Sequence, residues 1–423
     1  MSFTKCRNNK IRYVDYVFFA VLLAVYTGIT YWLFSKQVYG SEMLYHSDMK
    51  AYILEMQGLD SGYSFPYQLF FKFAAFLHLF IKAPEMAVAT AVTILNTCSL
   101  IVMKYYGDKL LFAQKMQSCK GEKWIPFFIT GLVFALFFVS MLYGVGFELP
   151  GIWRRYRGVF SPNPYHNATY LATRPFSIVT FFVFVRVLKD YEEQFKLKDV
   201  LLFGIFLFLS TVTKPSFTFI LVPAAGLILL YRLLQKKGKN LKNTIIAGLS
   251  FVPTFCALIY QFFGVFGPVE GEEKGIGFGL GKAWSYHCDN IPLAIFLGMA
   301  FPLAVLVLNF KELKKDGVFR LAWQIMAVSL FEMLFLYEKG FRVGHLNFSW
   351  GYMHGLFFAF VAAAFLLFRK TFVINGTTLT EDNNSARRGF RMLMLLGQWG
   401  LFGLHLLLGL LYFKTMLVGE LYY

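Results

Sequence analysis

Charge is scarce in this sequence. Asp, Glu, Lys and Arg make up 15% of its 423 residues, and the acids are the rarer kind, 24 against 41 bases. A soluble domain carries roughly 25% charge, so the solvated surface of an ordinary soluble protein cannot be made from this composition. Cysteine is rare too. The five cysteines show no CxxC or paired spacing, which supports neither a disulfide framework nor a zinc site. Cys6 and Cys119 fall in polar stretches, Cys98 and Cys256 in apolar runs, and Cys288 in a loop. No internal repeat or low-complexity linker divides the chain. The Gly-rich GPVEGEEKGIGFGLGK at 267–282 does not follow a predicted strand, which removes the context that a nucleotide-binding glycine motif needs.

What the chain has is apolar length. It is 57% hydrophobic and 19% aromatic, with 51 Phe, and its mean hydropathy is +0.55. Apolar runs of about 17–23 residues suit a hydrocarbon layer some 30 Å thick, and the aromatics suit lipid-facing surfaces and interfacial belts. Such runs lie at 13–35, 86–104, 125–146, 171–188, 199–213, 217–234, 244–264, 291–309, 320–337, 351–368 and 392–413. They predict an all-α polytopic membrane protein with about eleven transmembrane helices. The first run follows KCRNNKIRY without a small-residue cleavage site and reads as a signal-anchor span.

The segment PYQLFFKFAAFLHLFIK at 66–82 is apolar enough to span but carries Lys72 and His78 inside it. Charge decides its placement. As an interfacial amphipathic helix it leaves every basic loop on one side, where 27 Lys+Arg face 11 Asp+Glu, against 14 and 13 in the rest of the chain. The loop LLQKKGKNLKN at 233–243 has four lysines and no acid. Positive loops stay inside, so the expectation is a multi-pass protein of a bacterial plasma membrane, with a cytoplasmic N-terminus and an outer C-terminus. The net charge of +17 is then explained without nucleic acid. The chain reads as one transmembrane domain, 1–423. Residues 1–12 and the polar loop 374–389 are cytoplasmic. The outer loops are 36–85 with interfacial helices, 147–170, the turn 214–216, a flexible 265–290, and 338–350.

The chemistry-bearing residues fall in those outer loops or, like Arg174 and Glu332, in the apolar runs beside them. YHSD places His46 and Asp48 ahead of a short helical stretch. An acid beside an imidazole at a membrane surface is placed for general base work or metal ligation, and it also stands where an N-cap acid would. RRYR sets Arg154, Arg155 and Arg157 within four positions; arginine forks match phosphate oxygens, and arginines at span ends also snorkel. SPNPYHNATYLATRP adds His166, Asn167 and Arg174. Asn167-Ala-Thr169 and Asn347-Phe-Ser349 fit the glycosylation pattern, which chance often produces. Lys214 stands in a short turn before Pro215, where an ammonium near a lipid phosphate acts as a point charge. The last loop brings Arg342, His345, Asn347 and Trp350 together, an aromatic, amide and imidazole set suited to sugars and equally to an interfacial belt. Glu332 lies inside an apolar run, a costly place for an acid.

An acid shortly after span one, interfacial helices, and a many-span body with a Lys-Pro turn resemble the GT-C class of integral-membrane glycosyltransferases. The resemblance covers the layout of most of the chain, and its motifs are short. It implies a GT-C-like fold and transfer of a hexose or pentose from a polyprenyl-phosphate-linked donor on the outer face to a glycan or lipid acceptor, in cell-surface polysaccharide assembly. By resemblance, Asp48 serves as catalytic base, with His46 beside it, and Lys214 stands near the donor phosphate. Arg154, Arg155, Arg157 and Arg174 are the other candidate phosphate ligands, and His166, Asn167, Arg342, His345, Asn347 and Trp350 the candidate substrate contacts. Arg174 and Lys214, both preceding proline, are expected to clamp one diphosphate. No cofactor is implied. A divalent metal at Asp48 belongs to the family's chemistry, but the first loop has no DD, DE or DxD. The SPNPYHNATYLATRPF stretch also looks like a motif of uncharacterised bacterial membrane proteins of this kind. The partners implied are the lipid-linked donor, the acceptor and membrane lipids. Three other readings stand beside this one: a polysaccharide polymerase on lipid-linked repeats, a transporter or flippase of lipid-linked sugars, and a structural subunit.

Overall fold

A computed structural model describes residues 2–112, 122–143, 161–266, 275–372 and 385–420. Helices dominate because hydrocarbon offers no hydrogen bonds, so a spanning backbone must satisfy itself. They are α1 (Ser2–Gln37), α2 (Met49–Met56), α3 (Leu69–His78), α4 (Pro84–Gly107), α5 (Ile125–Leu136), α6 (Ala168–Asp190), α7 (Leu197–Thr213), α8 (Ser216–Gln235), α9 (Leu241–Leu249), α10 (Val252–Phe266), α11 (Ile291–Leu308), α12 (Gly317–Phe335), α13 (Ser349–Phe372) and α14 (Ser385–Leu417). Among the described residues, eight helical segments are long and apolar enough to cross a membrane. A ninth arises if α9 and α10, bent by 47°, count as one span. The protein is an all-α polytopic membrane protein, and among the described residues eight or nine helical spans stand beside the expected eleven.

The run at 125–146 shows why. Its helix, α5, has 12 residues, about 18 Å at 1.5 Å per residue. Beyond it, residues 139–143 run without helical structure, buried against α11 and α14. Ser140 N–H donates to the His405 carbonyl (3.1 Å) and Leu142 N–H to the Leu297 carbonyl (2.8 Å). The Phe301 N–H donates to His405 Nε2 (3.2 Å), so Nδ1 carries the proton and donates to the Ser140 carbonyl (2.6 Å). Irregular backbone at this depth is tolerated where protein satisfies it. Gly409 makes the approach possible: a Cβ there would come within 1.7 Å of the Phe138 carbonyl oxygen. The run at 199–213 forms α7, of 17 residues. The doubtful 66–82 segment forms α3, ten residues long and about 15 Å, too short to span.

α13 is the hub. Its residues 351–368 are all buried, and the most apolar stretch of α6 is 78% buried, whereas those of α1 and α14 are 28% and 22% buried and lie at the periphery. The Phe-rich composition is used here: Phe181 stacks on Phe358 at 4.3 Å and Phe182 on Tyr106 at 4.4 Å. One end of the bundle is tied by a buried cluster. Lys104 of α4 meets Asp15 of α1 at 2.7 Å and Asp108 at 2.6 Å, and Thr130 of α5 donates to Asp15 at 2.7 Å.

The loops gather at the other end. Tyr45 N–H bonds the Gly419 carbonyl, and Asp48 N–H that of His166. Ser64 Oγ donates to the Gly264 carbonyl. There, β1 (Ile276–Phe278) pairs antiparallel with β2 (Leu336–Glu338), Gly277 facing Tyr337. Part of the stretch expected to be flexible, 265–290, thus forms a strand, and 267–274 lie outside the described residues. Gly277 permits the strand pairing, since a Cβ would stand 2.3 Å from the Tyr337 ring.

Candidate functional site

At the loop end the first, second and third polar segments meet on one side chain. Asp48 occupies the N-cap position of α2 but makes no side-chain cap bond. Its Oδ2 accepts instead from Asn167 Nδ2 at 2.5 Å and from Tyr52 OH at 3.4 Å. Tyr52 lies one helical turn after Asp48, on the same face of α2. Asn167 is the N-cap of α6, and its Oδ1 accepts from Tyr170 N–H at 2.9 Å. That bond fixes the amide orientation. The same oxygen accepts from Lys214 Nζ at 3.0 Å and Thr169 Oγ at 3.0 Å, while Nδ2 also reaches Tyr52 OH at 2.8 Å. One amide therefore joins an acid to a cation.

Lys214 is held by the break between α7 and α8, where Pro215 N-caps α8. It is 6% exposed, so it does not snorkel. Nζ donates to Asn167 and to Thr169 Oγ (3.1 Å) and stands 4.2 Å from the Trp350 ring centre, a favourable seat for a cation. Among the described residues no carboxylate lies within ion-pair distance of it. Burial pulls its pKa down to about 7, against the pull of Asp48. His166, buried with its ring 5.7 Å from that of Trp350, is lowered to about 4. Burial is the main cause; the Asp48 charge opposes it and His46 and Lys214 add to it. Burial and then Asp48 push Tyr52 well above the usual phenol range. At neutral pH the site thus holds a neutral imidazole and a protonated phenol.

Arg174 lies two turns further into α6, about 10 Å along the axis from Asn167. It is fully buried among the rings of Phe137, Tyr170 and Phe357, and donates to Asn163 Oδ1 at 2.8 Å. Among the described residues it shares no hydrogen-bond partner with Lys214. Other polar atoms in this lower layer make no hydrogen bond among the described residues: Arg174 Nε and Nη2, both nitrogens of His354, Tyr352 OH and Glu332 Oε2.

The last loop forms the rim. Asn347 donates to Glu338 at 2.8 Å, Arg342 stands 3.8 Å from the same carboxylate, and the exposed His345 ring packs 6.4 Å from Tyr63 of the first loop. Trp350 lies inside the cluster and His46 is half-buried at its edge. Arg154, Arg155 and Arg157 lie outside the described residues. Asn167, 2% exposed and engaged on both sides of its amide, is not available for glycosylation in the folded protein.

Tyr52, Thr169 and Asn163 were not singled out in the sequence. Helical spacing from Asp48 could have shown the first, and the Asn-Ala-Thr pattern the second. Asn163 carries no comparable signal. A divalent cation wants several oxygen ligands, carboxylates foremost. Asp48 brings one carboxylate, the amide oxygen beside it already receives an ammonium, and among the described residues no three His, Cys, Asp or Glu converge; these residues do not fit a metal. Comparison with protein-family models, with curated proteins and with solved structures finds no match for this chain.

Proposed function

We propose that the protein is an integral-membrane glycosyltransferase, taking a sugar from a polyprenyl-phosphate-linked donor at the loop end of its bundle and passing it to a glycan or lipid acceptor in cell-surface glycan assembly. The observation that carries this is the Asp48–Asn167–Lys214 bridge: a carboxylate that caps no helix and a buried ammonium without a carboxylate partner, joined through one amide.

The chemistry follows from those two groups. Asp48 takes the proton of the acceptor hydroxyl as its oxygen attacks the anomeric carbon. The bond from that carbon to the phosphate oxygen breaks, and polyprenyl phosphate leaves with the electron pair. Lys214 stabilises the charge that grows on the leaving phosphate, in a site where burial removes competing water. Asn167 and Thr169 hold Lys214 in place. Trp350 offers a ring face to sugar C–H groups, and the neutral His166 ring lies beside it. Arg342, His345 and Asn347 read the sugar or acceptor from the rim, and His46 borders the base. Arg154, Arg155 and Arg157 enter this reading as further phosphate ligands through their place in the chain leading to His166. Arg174 supports the base of the site from within α6.

The test is transfer by purified protein in nanodiscs, offered a panel of polyprenyl mono- and diphosphate sugars, with release of the polyprenyl phosphate as the readout. Asp48→Asn should lose about 10²–10⁴-fold in rate, the usual value of a positioned base, while still binding donor. Wild-type protein that binds and turns over no member of the panel, or Asp48→Asn protein that works at the full rate, sinks the reading.

A further inference from the structure

A large crevice lies well away from this cluster. It has a volume of about 1490 Å³ and opens at the basic end of the bundle, between the last turns of α6, α8 and α13 and the first turns of α12. No residue of the Asp48–Lys214 network lines it. Ordinary small-molecule pockets hold roughly 300–1,000 Å³, so this crevice suits something larger.

Its shape is graded. The inner wall is apolar, with Val185, Leu188, Ala224, Ile228, Leu321 and Leu366. The mouth is charged, with seven cations and four acids. Along α8 the lining runs from Ala224 to Lys236 and along α12 from Gly317 to Val328. At 1.5 Å per residue these stretches are roughly 16–18 Å deep, about half of a 30 Å hydrocarbon layer. The crevice therefore matches one leaflet in depth.

The mouth carries spare positive charge. Arg369 pairs with Asp316, Lys370 with Glu312 at 3.2 Å, and Arg232 and Lys236 with Glu192 at 3.4 and 3.6 Å. Lys189 and Lys315 pair with no carboxylate among the described residues, and Arg320 donates only to the carbonyls of Leu313 and Lys314. Three cations are left facing a one-leaflet apolar slot.

We propose that this crevice is a binding site for one anionic phospholipid of the leaflet at the basic end, its phosphate held by Lys189, Lys315 and Arg320 and its acyl chains laid against α6, α8 and α12. Basic pockets between helices select anionic headgroups by charge, and the apolar walls supply affinity without selectivity. The inference stands apart from the reading of the loop-end cluster.

The experiment is native mass spectrometry of the full chain, delipidated and then offered phosphatidylglycerol or phosphatidylcholine with the same acyl chains. Phosphatidylglycerol should be retained at least tenfold more strongly. Replacing Lys189, Lys315 and Arg320 together with Ala should cut its retention by about 10–100-fold, since each surface cation is worth roughly a factor of several toward anionic lipid. Ala327→Trp, which fills the slot and leaves the charges, should cut it as well. Inorganic phosphate in large excess should not displace the lipid. Equal retention of both lipids, retention of neither, displacement by phosphate alone, or wild-type binding by both variants would each overturn the proposal. Asp48→Asn protein should bind phosphatidylglycerol as wild type does, which separates this test from that of transfer.

Discussion

Among the described residues two lysines are buried, one near each end of the bundle, and they are buried differently. Lys104, 4% exposed, has two carboxylates within 2.7 Å, and one of these, Asp15, is closed further by Thr130. Lys214, 6% exposed, has an amide oxygen, a hydroxyl and an indole face. The first cluster leaves no charge looking for a partner. The second keeps a cation held by neutral groups, with the nearest carboxylate one amide away. A satisfied network ties helices together; a cation kept from its counterion is ready for an anion that arrives later.

The largest effect that would break this comparison is on stability. Removing one partner of a buried pair costs about 3–5 kcal/mol, because the other charge is left uncompensated. Lys104→Ala should therefore lower the unfolding midpoint of the protein in nanodiscs by many degrees. Lys214→Gln keeps hydrogen bonding and removes a desolvated charge, and should leave that midpoint unchanged or raise it. Equal losses in the two variants would make Lys214 a structural residue like Lys104.

Lys214→Gln should instead weaken donor binding by about 10–100-fold, a charge-assisted contact being worth roughly 1.5–3 kcal/mol. Binding of a polyprenyl phosphate by the purified variant measures this directly. Unchanged affinity would remove Lys214 from the phosphate site and leave the amide bridge as a packing feature.

The pH dependence sharpens the contrast further. The folded pKa of Lys214 is about 7, below the unfolded value of roughly 10.4. Between those values the unfolded chain holds a proton that the folded chain has released. Stability from this group therefore rises with pH across that window, and the cost of burying the charged form is fully present below pH 7. Phosphate binding needs the proton and runs the other way, falling about tenfold per unit above pH 7. His166, at about 4, stays neutral throughout and adds no step. Lys214→Arg keeps its charge at every pH in this range and should flatten the binding profile. A wild-type profile that is already flat from pH 6 to 9 would contradict the assignment.

How far the sequence could be read differs between these regions in the same way. The Asp48 and Lys214 positions were visible because polar residues in short loops between apolar runs are conspicuous. Tyr52 and Thr169 were hidden because a tyrosine and a threonine near a membrane surface are ordinary. Arg174 was visible as a cation, but its depth was not: only folding shows that three rings and Asn163 enclose it. The Lys104–Asp15 pair was not visible, since a pair distant in sequence gives no periodic signal. The described part of the run 125–146 is not one helix, for a physical reason. Apolar residues serve a buried non-helical segment as well as a helix, and what distinguishes them here is remote, the His405 ring and the missing Cβ of Gly409. The charge asymmetry of the loops is legible in the sequence, because that pattern is summed over the whole chain.

The smallest expected effect lies at the rim, where core rules no longer apply. His345 and Tyr63 are both exposed and touch across two loops, so neither supports the bundle. Substitutions at such positions usually change stability by less than about 0.5 kcal/mol, and His345→Ala should leave the unfolding midpoint where it is. An aromatic contact is worth roughly 0.5–1.5 kcal/mol, which corresponds to about a two- to tenfold loss of apparent substrate affinity if the two loops must close over the site. His345→Phe then separates the two contributions of the imidazole. If it restores affinity, the ring contact with Tyr63 matters and the loops act as a cover. If it does not, the imidazole nitrogens themselves meet the substrate, and the rim belongs with Lys214 as part of the binding surface. A fall in the midpoint as large as that of Lys104→Ala would instead place the rim with the structural cluster and erase the distinction between the two ends.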